Sequence, residues 1–140
     1  MTISTTQLTE LLGIQYPIIG GAMYPCSNPS LVAAVSEAGG IGIAQPISLT
    51  FVHGYKFREG LRHIRQLTNK PIGLNLLIER SSKKYLEKNK QWLEIAIEEG
   101  VRFFITALGN PDWIVKRLES VESAVLFHDV TEKKMGHQSH

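Results

Sequence analysis

Glycine and proline punctuate this chain at near-regular intervals, and between them short apolar runs alternate with longer amphipathic ones. That alternation constrains the fold more than any other feature. After a short lead-in helix over Thr5 to Leu12, closed by Gly13, the run Pro17-Ile18-Ile19 reads as a strand ending in Gly20-Gly21. Asn28 can then cap a helix that Pro29 begins at its first position; it continues from Leu31 to Ala38 and stops at Gly39-Gly40. The unit recurs. Ile41 to Ala44 is a second strand, and a loop through Pro46 and His53 leads to a helix with Phe57, Leu61, Ile64 and Leu67 on one face. Pro71 to Leu77 is a third strand, followed by a helix from about Lys83 to Glu99 that Gly100 closes. Val101 to Thr106 is a fourth, Asn110-Pro111 repeats the cap signal before a helix carrying Ile114, Val115 and Leu118, and Ala124 to Phe127 is a fifth. Strands that begin about 20 to 30 residues apart have the spacing of βα units, which implies a parallel sheet with right-handed crossovers.

A (β/α)8 barrel takes about 250 residues, whereas a doubly wound sheet can finish with five strands. The strand faces bear on the choice. Ile72, Leu74 and Leu76 form one face of the third strand, with Gly73, Asn75 and Leu77 on the other. Strand two divides into Ile41 and Ile43 against Gly42 and Ala44, strand four into Phe103 and Ile105 against Phe104 and Thr106, and strand five into Val125 and Phe127 against Leu126 and His128. The expectation is one large apolar face under the helices and one small or polar face lining a barrel interior. On that reading the glycines after strand one, Gly42 and Gly73 clear space at the C-terminal rim, where Asn75, Thr106 and His128 supply polar groups. An amide such as Asn75 both donates and accepts, which suits the edge of a heterocycle. Each also has a structural role open to it: Asn75 can satisfy neighbouring backbone, and for Thr106 and His128 that role is the favoured one.

Bulk properties exclude several classes. With 43% hydrophobic and 20% charged residues in 140, the composition is that of one globular domain expected to be soluble and cytoplasmic. A net charge of +2 with dispersed basic residues argues against nucleic acid, and the basic run SSKKYLEKNK reads as a solvated helix face. No stretch approaches the roughly 18 apolar residues a membrane span needs. The lone Cys26 cannot form an internal disulfide and is assigned a packing or incidental role rather than chemistry. There is no GxGxxG opening a helix, GxxxxGK[ST], GxSxG or metal-spaced cluster, and His53, His63, His137 and His140 receive no role.

The segments LLGIQYPIIGGAM, SNPSLVAAVSEAGGIGIA, LTNKPIGLNLL, EEGVRFFITALGNP and LFHDVT, in that order, resemble the N-terminal half of the nitronate monooxygenase (2-nitropropane dioxygenase) family. That family also includes FMN-dependent NAD(P)H oxidoreductases and enoyl-acyl carrier protein reductases. The resemblance implies an α/β fold of the TIM-barrel (β/α)8 type, shortened to about its first five strands as a partial or open barrel. Residues 1–131 would form this half-barrel, and 132–140 a disordered tail. It further implies non-covalent FMN at the C-terminal rim, with Gly21, Ala22 and Met23 along the ring where many relatives have Gly-Gly-Met. Asn75 of the G-x-N motif would contact the flavin, and Gln45 and Thr106 would occupy rim positions. The family's phosphate-binding loops and its proposed catalytic histidine follow later motifs that this sequence lacks, so no residue here is assigned as catalytic.

The implied activity is FMN-dependent oxidation of a small nitronate substrate with O2 to a carbonyl compound and nitrite, the shortened chain itself being expected to be inactive and its hold on FMN weak or absent. Two alternatives stand beside it. One is a non-catalytic half-barrel that pairs with itself as a homo-oligomer or with a complementing C-terminal half; the other is part of an NAD(P)H-dependent flavin or enoyl reductase. A free-standing five-strand doubly wound sheet is a weaker third, since it needs helices on both faces.

Overall fold

The computed structural model describes residues 5–78 and 82–129. Its elements are α1 (Gln7–Leu12), β1 (Ile19–Gly20), α2 (Pro29–Glu37), β2 (Ile41–Ala44), a π-helical turn (Ser48–Val52), α3 (Phe57–Leu67), β3 (Ile72–Leu77), α4 (Lys83–Glu98), β4 (Phe103–Ala107), α5 (Asp112–Leu118) and β5 (Val125–His128). The five strands pair in parallel in the order β1-β2-β3-β4-β5, so every crossover joins neighbours. The sequence places each βα unit, while the structure corrects several ends. The expected loop after Pro46 contains the π-helical turn, and Leu67 is 45% exposed rather than packed. Asn110 does not cap α5 in the way Asn28 caps α2. Its Oδ1 accepts from Asp112 N at 3.0 Å in an Asx turn, Pro111 takes the cap position, and the helix starts one residue later. Both the expected boundary at 131 and the expected tail over 132–140 lie outside the described residues.

Two apolar layers sandwich the sheet. On the outer side, α2 to α5 bury Val32, Leu61, Leu93 and Ile114 against Ile72, Leu74, Leu76 and Phe104. On the inner side, Ile41, Ile43 and Phe103 pack with Leu12 and Leu8 of α1 and with Ile105 and Val125. Helices α2 to α5 thus share one face, and α1 meets the N-terminal end of the other. This is the layering of a (β/α) barrel opened along one side and not of a doubly wound sheet.

Register corrects the assignment of faces. Partners in a parallel ladder point the same way, and Gly42 pairs with Ile72, Ile43 with Gly73, Asn75 with Ile105 and Thr106 with His128. Ile41, Ile43, Phe103, Ile105, Val125 and Phe127 therefore belong to the interior, whereas Gly42, Phe104, Thr106, Leu126 and His128 face the helices. The expected division into a large helix-facing side and a small interior holds for β3 and is inverted for β2, β4 and β5.

The reason is visible at Gly42. A Cβ there would lie 2.1 Å from the carbonyl oxygen of Val32, so the glycine brings α2 onto β2 rather than opening a cavity. Ser36 secures the same contact. Its Oγ accepts from Gly42 N at 2.9 Å and donates to Pro71 O at 2.8 Å, tying α2 to β2 and to the start of β3. Gly73 does face inward, but its Cβ would meet Ile43 Cδ1 at 2.6 Å and Phe103 Cδ1 at 2.8 Å, so neighbouring side chains already fill the space expected to be clear.

Outside the barrel, arginine and carboxylate pairs link consecutive helices. Arg58 and Arg62 of α3 engage Glu98 and Glu99 at the end of α4, and Arg117 of α5 engages Glu94. Hydrogen bonding from Arg62, and then from Arg58, holds the Glu99 carboxyl below the ordinary carboxylate range against the opposing effect of burial.

Candidate functional site

At the C-terminal ends of the strands, the segment after β1 is shaped from within. Ser27, 1% exposed, accepts from Met23 N at 2.7 Å through its hydroxyl and returns its own N–H to Met23 O at 2.8 Å. Asn28 then caps α2 by accepting from Leu31 N at 2.8 Å. These bonds fold 23–27 into a closed turn that presents Gly21, Ala22 and Met23 along the rim. A Cβ at Gly21 would touch nothing within 4 Å, so its backbone is open to a close approach, and the neighbouring Met23 is 51% exposed. Ala22 packs with the inner layer. His53 closes the same region from the next unit, its Nε2 lying 3.0 Å from Pro25 O. Cys26 is exposed, so of the packing and incidental roles expected for it the structure leaves the incidental one.

Asn75 stands on the inner face of β3, half-buried, near the strand's C-terminal end. Its side chain makes one hydrogen bond among the described residues, a long one from Nδ2 to Ile105 O at 3.4 Å. The amide is thus held toward β4 while its oxygen stays free to accept. Gln45, 8% exposed, lies at the end of β2 with its Oε1 bonded to Ser48 Oγ at 2.5 Å.

The structure therefore gathers Gly21, Ala22, Met23 and Asn75 at one end of the inner face, with Gln45 beside them. It does not bring Thr106 to that group. Thr106 is fully buried on the helix side of β4, where its Oγ1 lies 2.9 Å from His128 Nδ1, so the two satisfy each other behind the sheet. Sequence reasoning missed Ser27 and Ser48, the buried serines that shape the rim. The signal for Ser27 lay in its place before the Asn-Pro cap; nothing in the sequence marked Ser48. At the opposite end, a cavity of about 450 Å³ between α1 and the strand starts is lined by Glu10, Leu12, Ile41, Arg102, Phe103 and Val125. It is well removed from the rim.

Five parallel strands with helices on one face define the N-terminal half of a TIM barrel, with inner polar groups and an open backbone after β1 as a candidate site at its rim. Comparison with known proteins makes the class specific. The nitronate monooxygenase family profile matches residues 5–132, and the chain belongs to that family. It is 36% identical to a nitronate monooxygenase from Pseudomonas aeruginosa over 135 residues, covering 89% of this chain and 38% of that protein. Among solved structures, FabK from Thermotoga maritima superposes with a TM-score of 0.78 at 29% identity over 97% of this chain and 40% of its own. Nitroalkane oxidase from Streptomyces ansochromogenes, at 20% identity and a TM-score of 0.70, shares the fold. The chain thus spans about two fifths of the length of these relatives.

Proposed function

We propose that this chain supplies the ring-binding half of an FMN site in an oxidoreductase of the nitronate monooxygenase type. The observation that carries this reading is the position of Asn75. It is a polar side chain on the inner face at the rim, weakly engaged by its own protein, at the end of the barrel where the backbone of Gly21 is open. Gly21, Ala22 and Met23 would lie along the flat ring, Asn75 would hydrogen-bond its edge, and Gln45 would border it. The residues fit such a group, since they offer a flat approach, an amide with unused accepting capacity and an apolar floor of Ile43 and Ile105.

Bound FMN would supply the two-electron chemistry by which a nitronate and O2 give a carbonyl compound and nitrite. This chain's own residues bind and orient, and none of them is assigned a proton transfer. Adding FMN to the protein should produce a saturable visible flavin band, and Asn75→Ala should weaken FMN binding about tenfold, the equivalent of about 1.4 kcal/mol for a lost amide contact. Unchanged affinity in Asn75→Ala would remove Asn75 from the site. The overlay on FabK keeps the reductase alternative in view. Nitrite release from a nitronate supports the first reading, and NAD(P)H consumption without nitrite supports the second.

We also infer that strands from outside residues 5–129 continue the sheet. β1 and β5 each have one unpaired edge among the described residues, and Phe127 on the inner face is 37% exposed. A complementing C-terminal half or a second copy could provide these strands.

A further inference from the structure

Among the described residues, Asn89 Oδ1 and Trp113 Nε1 are the buried side-chain polar atoms without a hydrogen-bond partner. Asn89 lies close to the rim. It occupies the second turn of α4, is 1% exposed, and donates through Nδ2 to the carbonyl of Leu77 at 2.9 Å. That bond fixes which end of the amide is which, because exchanging the two atoms would set one oxygen against another. Oδ1 is therefore an acceptor held fast in the interior, a position in which a bare polar group is costly.

The surroundings offer what it lacks. A recess of about 10 Å³ lies against Asn89, bounded by Gln45, Pro46, the half-buried Asn75, Leu77, Tyr85 and Trp92. A void of that size has room for about one water, and a buried water requires two to four polar partners. Gln45 is the second polar side chain of the wall that is itself more than nine-tenths buried. With its Oε1 engaged by Ser48, the group it has left to offer is the Nε2 donor.

We propose that the recess holds one ordered water, donating to Asn89 Oδ1 and accepting from Gln45 Nε2, and that Asn89 thereby positions the Gln45 carboxamide at the rim. The bridge joins three elements. Gln45 follows β2 and accepts the N–H of Leu49 through its own carbonyl, Leu77 ends β3, and Asn89 belongs to α4. Asn89 is a positioning residue, and its effect on the cofactor rests on the flavin reading above; the water itself does not.

A crystal structure of the full protein tests the water directly. The expected result is a solvent peak within about 3.2 Å of both Asn89 Oδ1 and Gln45 Nε2. An empty recess, or an Asn89 amide turned away from Leu77, overturns the proposal. A double-mutant cycle on urea unfolding gives an independent reading with Asn89→Leu and Gln45→Met. The combined shift in midpoint should be clearly smaller than the sum of the single shifts, because either change breaks the same bridge. Strict additivity overturns the proposal, and if a variant fails to fold the solvent peak decides. In titrations with FMN, Asn89→Leu should weaken binding several-fold in the parent but not in a Gln45→Met background. Wild-type protein that binds no FMN would refute the flavin reading while leaving the crystal and unfolding results to judge the water.

Discussion

Gly42 shows how a residue type can be read correctly for its size and wrongly for its purpose. In the sequence, a glycine within an apolar strand signals that something approaches the backbone closely. A cavity and a helix make the same demand. Here the helix makes it, with Val32 O where a Cβ would stand. Gly42→Ala should therefore destabilise the protein by at least about 2 kcal/mol, since backbone rather than a flexible side-chain end must move. A urea melt would check this, and a shift of under about 0.5 kcal/mol, the range of neutral surface changes, would mean that α2 can retreat. By contrast, Gly21→Ala meets open space and should leave the melt nearly unchanged while affecting anything that approaches the rim. Asn75 was legible because an amide among Ile72, Leu74 and Leu76 breaks an apolar pattern. Thr106 and His128 break the pattern too, yet they bond each other behind the sheet, a pairing that depends on the β4–β5 register and leaves no local trace.

At the scale of elements, the helices and strands were legible because each βα unit carries its own punctuation. Asn28-Pro29, Gly13 and Gly100 act within a few residues of where they stand, so local reading finds them. Facing is different, because it depends on where a strand slides against its neighbour. The β2 sequence IGIA is compatible with either orientation until Ile43 is paired with Gly73. The helix-to-helix ion pairs were equally invisible, joining residues 23 to 41 positions apart. They make a prediction about acid stability. The Glu99 carboxyl is held below its ordinary value, so its contribution is fully present above the unfolded-state value of about 4.3 and is lost as pH falls through the lower folded-state value. Glu99→Gln should accordingly flatten the dependence of the urea midpoint on pH below about 4.5 while adding a nearly constant loss above it. An unchanged slope would show that the Arg58 and Arg62 pairs are too solvated to matter.

For the whole molecule, the inner face and the two sheet edges set the behaviour expected in solution. Phe103 and Phe127 meet edge to face at 5.2 Å, and Phe127 remains 37% exposed on a strand whose outer edge is unpaired among the described residues. An exposed edge beside an apolar face favours association. The isolated protein at micromolar concentration should scatter as a species larger than its 15.6 kDa monomer, and Phe127→Asp should shift it toward the monomer. A sharp monomer peak with a cooperative melt would show that the half-barrel stands alone. Helix α1 already covers the N-terminal end of the inner face with Leu8 and Leu12, so the uncovered part lies toward β5. Five strands in chain order also bear on how such a molecule is made. Neighbouring strands start 22, 31, 31 and 22 residues apart, so each unit emerging from the ribosome finds its partner already synthesised and close by. Because closure entropy grows only with the logarithm of the intervening length, none of these four pairings is a long search. In a closed barrel, a joint bringing a last strand back to β1 would span the whole circumference and would be the slow step of vectorial synthesis, with five strands paired in this way as its template.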